Sequence, residues 1–82
     1  MKILNQPVEM IAHFGPDEYP VPLKFKTSQT TVRISSVLSA QKTKNAGIDA
    51  FLFDCIGFIN EKECRFSLKY VISRCKWYIF KK

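Results

Sequence analysis

The chain predicts an all-β fold, a small curved antiparallel barrel of five or six strands built from a meander. Two observations carry that prediction. The first is the agreement of three hairpins. With two-residue turns at Ser28-Gln29, Asn60-Glu61 and Ser73-Arg74, the first hairpin opposes Phe25 to Val32 and Leu23 to Ile34. The second opposes Phe51 to Tyr70, Phe53 to Leu68 and Cys55 to Phe66, and the third opposes Tyr70 to Trp77 and Leu68 to Ile79. Each pairing sets apolar against apolar, and the last two hairpins share the strand of Phe66, Leu68 and Tyr70. A one-residue slip would turn every side chain to the other face, so the registers constrain one another. The second observation is spacing. Six short strand-like segments alternate with turn residues and no stretch holds a helical apolar period, a pattern that points to a small barrel of SH3-like or OB-like kind. A flat meander with one wet face is the competing arrangement, but closure removes the edges of so apolar a sheet.

The elements follow in chain order. Pro7 opens a first strand to His13, with Val8, Met10 and Ala12 facing inward. Phe14-Gly15-Pro16-Asp17 is turn chemistry, since glycine tolerates positive φ and proline presets the next bend. Tyr19-Pro20-Val21-Pro22 reads as an extended lead-in or edge, because two prolines remove ladder donors. The second strand, Leu23 to Thr27, alternates with Lys24 and Lys26 outward. The third, Thr30 to Ala40, changes phase between Ile34 and Val37, and a bulge near Ser35-Ser36 restores the pattern while bending the strand. Gln41 to Gly47 reads as the longest polar loop. The remaining strands run over 49–59, 63–72 and 76–81.

Eighty-two residues make one domain, residues 1–82, near the lower limit for an unstapled core. Met1-Lys2-Ile3-Leu4 runs into Asn5-Gln6-Pro7 with no apolar signal core. The longest apolar stretch, Ala50 to Ile59, is broken by Asp54 and is half the roughly 20 residues a membrane helix needs. An odd count of 3 cysteines without a secretory signal places the chain in a reducing, cytoplasmic setting. The net charge of +6 is uneven: residues 1–23 hold Lys2 against Glu9, Asp17 and Glu18, while the rest carry a balance of +8. That asymmetry favours an anionic partner.

Catalysis finds no support, because the one histidine, His13, has no nucleophile beside it and no serine sits in a Gly-x-Ser-x-Gly turn. Cys55, Cys64, Cys75 and His13 make four metal ligands on paper, but without a C-x-x-C knuckle Cys55 and Cys64 read as small core residues and Cys75 as a turn cysteine. The reading assigns no catalytic residue, metal or cofactor. The feature that bears on function is the outward face of the last three strands. There Leu52, Ile56, Phe58, Val71, Tyr78 and Phe80 are interleaved with Arg65, Lys69, Lys76 and Lys82. A contiguous apolar face marks a contact surface, so the favoured function is a non-catalytic adaptor docking a protein partner or a second copy of itself, with Phe58, Arg65, Lys69, Lys76, Tyr78 and Phe80 as its face. Cations among rings are also the equipment of single-stranded nucleic-acid binders, which is the alternative. A third arrangement lays the first strand and the proline-rich lead-in over the face. A second basic cluster comprises Lys24, Lys26, Arg33, Lys42 and Lys44, with Lys24 opposite Arg33; solvated lysines that discourage edge aggregation account for it best.

Pro7-Val8-Glu9, Pro22-Leu23-Lys24-Phe25 leading into Val32-Arg33-Ile34, Phe53-Asp54-Cys55, Leu68-Lys69-Tyr70 and the closing Trp77-Tyr78-Ile79 span most of the chain. In this order they resemble a family of small uncharacterised bacterial β domains associated with proteins related to Y-family DNA polymerases. The chain departs from that pattern after the third strand, where Ser39 and Ala40 stand in place of a tryptophan. The resemblance implies a barrel-like β domain in a DNA-linked setting and supplies no catalytic residues.

Overall fold

A computed structural model describes residues 3–82; Met1 and Lys2, counted above in the charge balance and in the reading of the N-terminal segment, lie outside the described residues. Six strands, β1 (Ile3–His13), β2 (Val21–Lys26), β3 (Thr31–Asn45), β4 (Ile48–Ile59), β5 (Lys62–Val71) and β6 (Lys76–Lys81), form a closed antiparallel barrel in sequence order. The last hairpin turns through a short 3-10 segment, Ile72–Arg74. Closure falls to β1, which changes partner along its length. Its first half pairs with β6 as far as Val8 opposite Trp77, and its second half pairs with β2 from Glu9 opposite Lys26 onward. Pro7 therefore lies inside the strand rather than opening it. At Pro7 the strand has one neighbour only, so a residue without an N–H is tolerated there.

The predicted registers hold where hairpins are regular. Phe25 faces Val32; Phe51, Phe53 and Cys55 face Tyr70, Leu68 and Phe66; Tyr70 and Leu68 face Trp77 and Ile79. Asn60 and Glu61 both take positive φ, 51° and 65°, as a type I′ turn matched to strand twist requires. The β2–β3 turn at Ser28-Gln29 is tied by the Thr27 N–H donating to the Thr30 carbonyl at 2.8 Å. The Thr27 hydroxyl oxygen accepts from the Thr30 N–H at 3.1 Å. The third turn differs in form: Ile72 to Cys75 make a four-residue loop that ends with Cys75 in the left-handed region. Its register is unchanged because Val71 still opposes Lys76.

Three further expectations are corrected. Leu23 does not pair with Ile34. An extra residue on β2 at Leu23 puts Pro22 into the core and turns Leu23 outward, 45% exposed, while Ile34 faces Gly57. The segment Gln41 to Gly47 is not a loop, since β3 continues in register to Asn45 and turns at Ala46-Gly47, both with positive φ. Its side chains are polar because this arm of the β3–β4 hairpin extends past the core, so no apolar alternation marks it as a strand. Cys64 is half-buried near the strand end rather than a core residue.

The bulge expected at Ser35 is present, and a second on the same strand falls at Leu38. Others place an extra residue at Phe80 on β6 and near Asn5 on β1, where φ is 50°. Each bulge adds bend and right-handed twist, which lets six strands close on themselves. The interior holds Phe25, Val32, Phe53, Cys55, Phe66, Leu68, Tyr70, Trp77 and Ile79. Phe25 meets Phe66 edge-on at 5.4 Å, and Trp77 lies against Tyr70 at 4.8 Å and Phe53 at 5.5 Å. The proline-rich lead-in closes one end of the barrel, with Tyr19 set edge-on to Phe51 at 5.0 Å.

Candidate functional site

Strand alternation turns Ala50, Leu52, Asp54, Ile56 and Phe58 of β4 away from the core, together with Arg65, Ser67, Lys69 and Val71 of β5 and Lys76 and Tyr78 of β6. Across this face Leu52 opposes Lys69, and Lys69 opposes Tyr78. The bulge at Phe80 brings its ring to the same place: the Lys69 ammonium sits 4.9 Å from the Phe80 ring centre and 5.5 Å from that of Tyr78. Lys81 approaches Phe80 at 5.3 Å. Beside them a groove of about 420 Å³ runs over Ala50, Leu52, Lys69, Val71, Tyr78 and Phe80 to Arg74 and the end of the β3–β4 hairpin. Its floor is sealed, Ala50 being 4% and Val71 7% exposed although both face outward. A smaller hollow of about 170 Å³ continues it past Leu52 and Phe80 to Asp54 and Ser67.

At that end the Ser67 hydroxyl donates to Asp54 Oδ1 at 2.7 Å, and Arg65 reaches Asp54 Oδ2 at 3.6 Å. The groove thus has an apolar-aromatic centre, a cationic rim at Lys69 and Arg74, and one acid satisfied from within the sheet.

The structure brings together Lys69, Tyr78 and Phe80 of the predicted face and separates the others from them. Arg65 is engaged by Asp54. Phe58 opposes Arg33 and Glu63, six residues along β4 from Leu52, a distance of about 20 Å. Lys76 opposes Val71 at the start of β6 and lines a different hollow with Glu9, Lys26 and Trp77. Leu52 and Val71, which the sequence places on the outward face, line the groove; Ala50 and Arg74 join them and were not predicted, and for Ala50 the signal in the sequence was its parity with Leu52. The first strand and the lead-in do not lie across the groove: β1 runs in the barrel wall, where only its Asn5 reaches the groove, and the lead-in is at the barrel end. The second basic cluster divides. Lys24, Lys26 and Arg33 share the outer surface of β2 and β3, with Lys24 opposite Arg33. Lys42 and Lys44 fall on the other parity, and Lys42 opposes Phe51 while Arg33 opposes Phe58, about 24 Å apart along β4.

The thiols are dispersed through the barrel, and among the described residues no three of His, Cys, Asp or Glu are placed to hold a metal ion. Cys55 is fully enclosed; burial, and secondarily the Asp54 carboxylate, push its pKa from 9.0 up to about 12. The Tyr70 hydroxyl is likewise pushed up by burial and then by the neighbouring Cys75 thiol. In the native protein a thiol reagent is expected to modify Cys75 quickly, Cys64 slowly and Cys55 only on unfolding, as a timed mass-spectrometric titration would show. Rapid native labelling of Cys55 would contradict the sealed interior. The folded state holds the Cys55 proton more tightly than the unfolded chain does. Its contribution to stability is therefore complete below pH 9.0 and is lost as pH rises towards about 12, which alkaline denaturation melts would follow.

Set beside known proteins, the chain matches no family model, no curated protein and no solved structure. Among the described residues no helix is long and apolar enough to cross a membrane.

Proposed function

We propose that this barrel is a non-catalytic adaptor that docks a protein partner, working in the cytoplasm, and that the groove on the outer face of β4, β5 and β6 is its contact surface. One observation carries the reading: the two ring faces at the groove and the cations nearest them are already engaged. Lys69 lies over Tyr78 and Phe80, Lys81 over Phe80, and Arg65 against Asp54. A base stacking on either ring must first displace an ammonium group whose cation–π contact is worth about 0.5–1 kcal/mol. An apolar side chain can instead rest on the sealed floor at Ala50 and Val71, beside the Lys69 ammonium, and aromatic anchors in sealed pockets are where docking energy concentrates. The resemblance to polymerase-associated domains adds a DNA-linked setting to this proposal and no residue role.

The experiment compares wild type with Tyr78→Ala and Lys69→Ala, reading mass by light scattering and partner capture by the purified protein. Tyr78→Ala is expected to weaken self-association or capture by about 2 kcal/mol or more, with little dependence on salt. Binding of a single-stranded oligonucleotide that falls steeply with salt, with Lys69→Ala lowering the slope by about one, would replace docking by the nucleic-acid alternative.

A further inference from the structure

Closure of the barrel leaves one long edge open. β2 pairs with β3 only from Thr31 to Arg33. From Ile34 to Asn45 β3 has β4 on one side and, among the described residues, no strand on the other. The two bulges at Ser35 and Leu38 spoil the first part of that edge as a template. Beyond them Ala40–Asn45 runs unbroken in register opposite Ile48–Phe53, with one row of backbone N–H and C=O groups facing outward. β3 carries no acidic residue; Lys44 stands opposite Asp49 of β4, but neither Lys42 nor Lys44 comes within ion-pair distance of an acid among the described residues. Both are exposed on the same parity of the strand.

We propose that the edge of β3 between Ala40 and Asn45 accepts an extended acidic segment of another protein as a seventh strand. Two physical arguments select that occupant. A second copy would pair about a two-fold axis perpendicular to the sheet, so residues of the same face must oppose one another. Registers centred on the middle of the open edge, at Lys42 or at Thr43, set Lys42 against Lys42 or against Lys44, and like charges directly opposite are destabilising. A partner strand with Asp or Glu at alternate positions instead meets both lysines on one face, while its main chain satisfies the open ladder. Its other face meets Gln41, Thr43 and Asn45, so β-branched or polar residues suit the positions between the acids. Nucleic acid fits less well, because Lys42 and Lys44 are remote from Lys24, Lys26 and Arg33 and no aromatic ring lies on the edge.

The test uses the intact protein and a blocked eight-residue peptide alternating Glu with Val and Thr. Its counterparts are the same peptide with Lys for Glu and a single-stranded oligothymidylate. With the acidic peptide, amide exchange is expected to slow at alternate residues between Ala40 and Asn45, leaving the amides around Tyr78 unchanged. The Lys42→Glu/Lys44→Glu double variant, altered only at exposed positions, is expected to stay folded and to melt a little below wild type, because the acid at position 44 then opposes Asp49. It should bind the acidic peptide at least tenfold more weakly and take up the lysine peptide instead. The proposal is overturned if the acidic peptide leaves these amides unprotected at millimolar concentration, or if both peptides bind alike. Protection at the groove rather than the edge, tighter binding of oligothymidylate at these amides, or self-association that protects them would overturn it equally.

Discussion

Replacing Trp77 by alanine is expected to unfold the protein at or near physiological temperature. Trp77 is 7% exposed and holds β6 to both of its neighbours, opposite Tyr70 on β5 and opposite Val8 on β1. Its ring also fills the space between Tyr70 and Phe53. Truncation of a buried tryptophan costs about 3–5 kcal/mol. A domain of this length has only about 4–12 kcal/mol of stability in all. The loss falls on the strand that closes the barrel, where collapse around the cavity would part β1 from β6. A fall in melting temperature of roughly 12–40 °C is expected by circular dichroism, with Trp77→Phe retaining most of the stability. An unchanged melt for the alanine variant would show that the face bearing Tyr70 and Trp77 is not the interior.

The second large effect is expected at Gly57. A glycine in mid-strand ordinarily destabilises by about 0.5–1 kcal/mol relative to alanine, so alanine there would be a gain if space allowed. Space does not allow it. A Cβ built on Gly57 lies 2.6 Å from the backbone oxygen of Arg33 and 3.1 Å from the ring of Phe66. The Arg33 oxygen belongs to the strand just before the Ser35 bulge, and Phe66, 1% exposed, is locked edge-on against Phe25. Neither can retreat without opening the β3–β4 ladder or the core. Gly57→Ala is therefore expected to destabilise by about 1–3 kcal/mol, the usual range for overpacking, and Gly57→Val by more. Denaturant titration checks it, and a stabilised Gly57→Ala would mean that β3 does not approach β4 this closely. The sequence held the signal, because a lone glycine within an apolar strand marks a bulge or a close backbone approach.

The groove and the free edge were legible in the sequence to different degrees. Tyr78, Phe80 and Lys69 could be placed on one outward face because Lys69–Tyr78 is a hairpin neighbour of Tyr70–Trp77. Phe58 shares their parity and was grouped with them for that reason, although parity says which face a residue is on and nothing of how far along it lies. Arg65 reads as one cation of that face, because the parity of its own strand says nothing of its ion pair with Asp54 on another strand. Lys42 and Lys44 read as loop residues, because a hairpin arm that has outrun the core has nothing to alternate against.

The amino-acid sequence by itself determined the β class, the registers of the second and third hairpins, that of the first beside its turn, and the inward set from Phe25 to Ile79. All of these follow from a period of two acting between chain neighbours joined by a short turn. Only the tertiary structure decided that β1 divides its pairing between β2 and β6, that extra residues fall at Leu23, Leu38 and Phe80, and that β3 keeps an open edge from Ile34 onward. Those outcomes depend on accumulated twist and on contacts between strands distant in sequence. A bulge relieves the strain of closure wherever the whole barrel needs it, and neither Leu23, Leu38 nor Phe80 carries a local mark of that need.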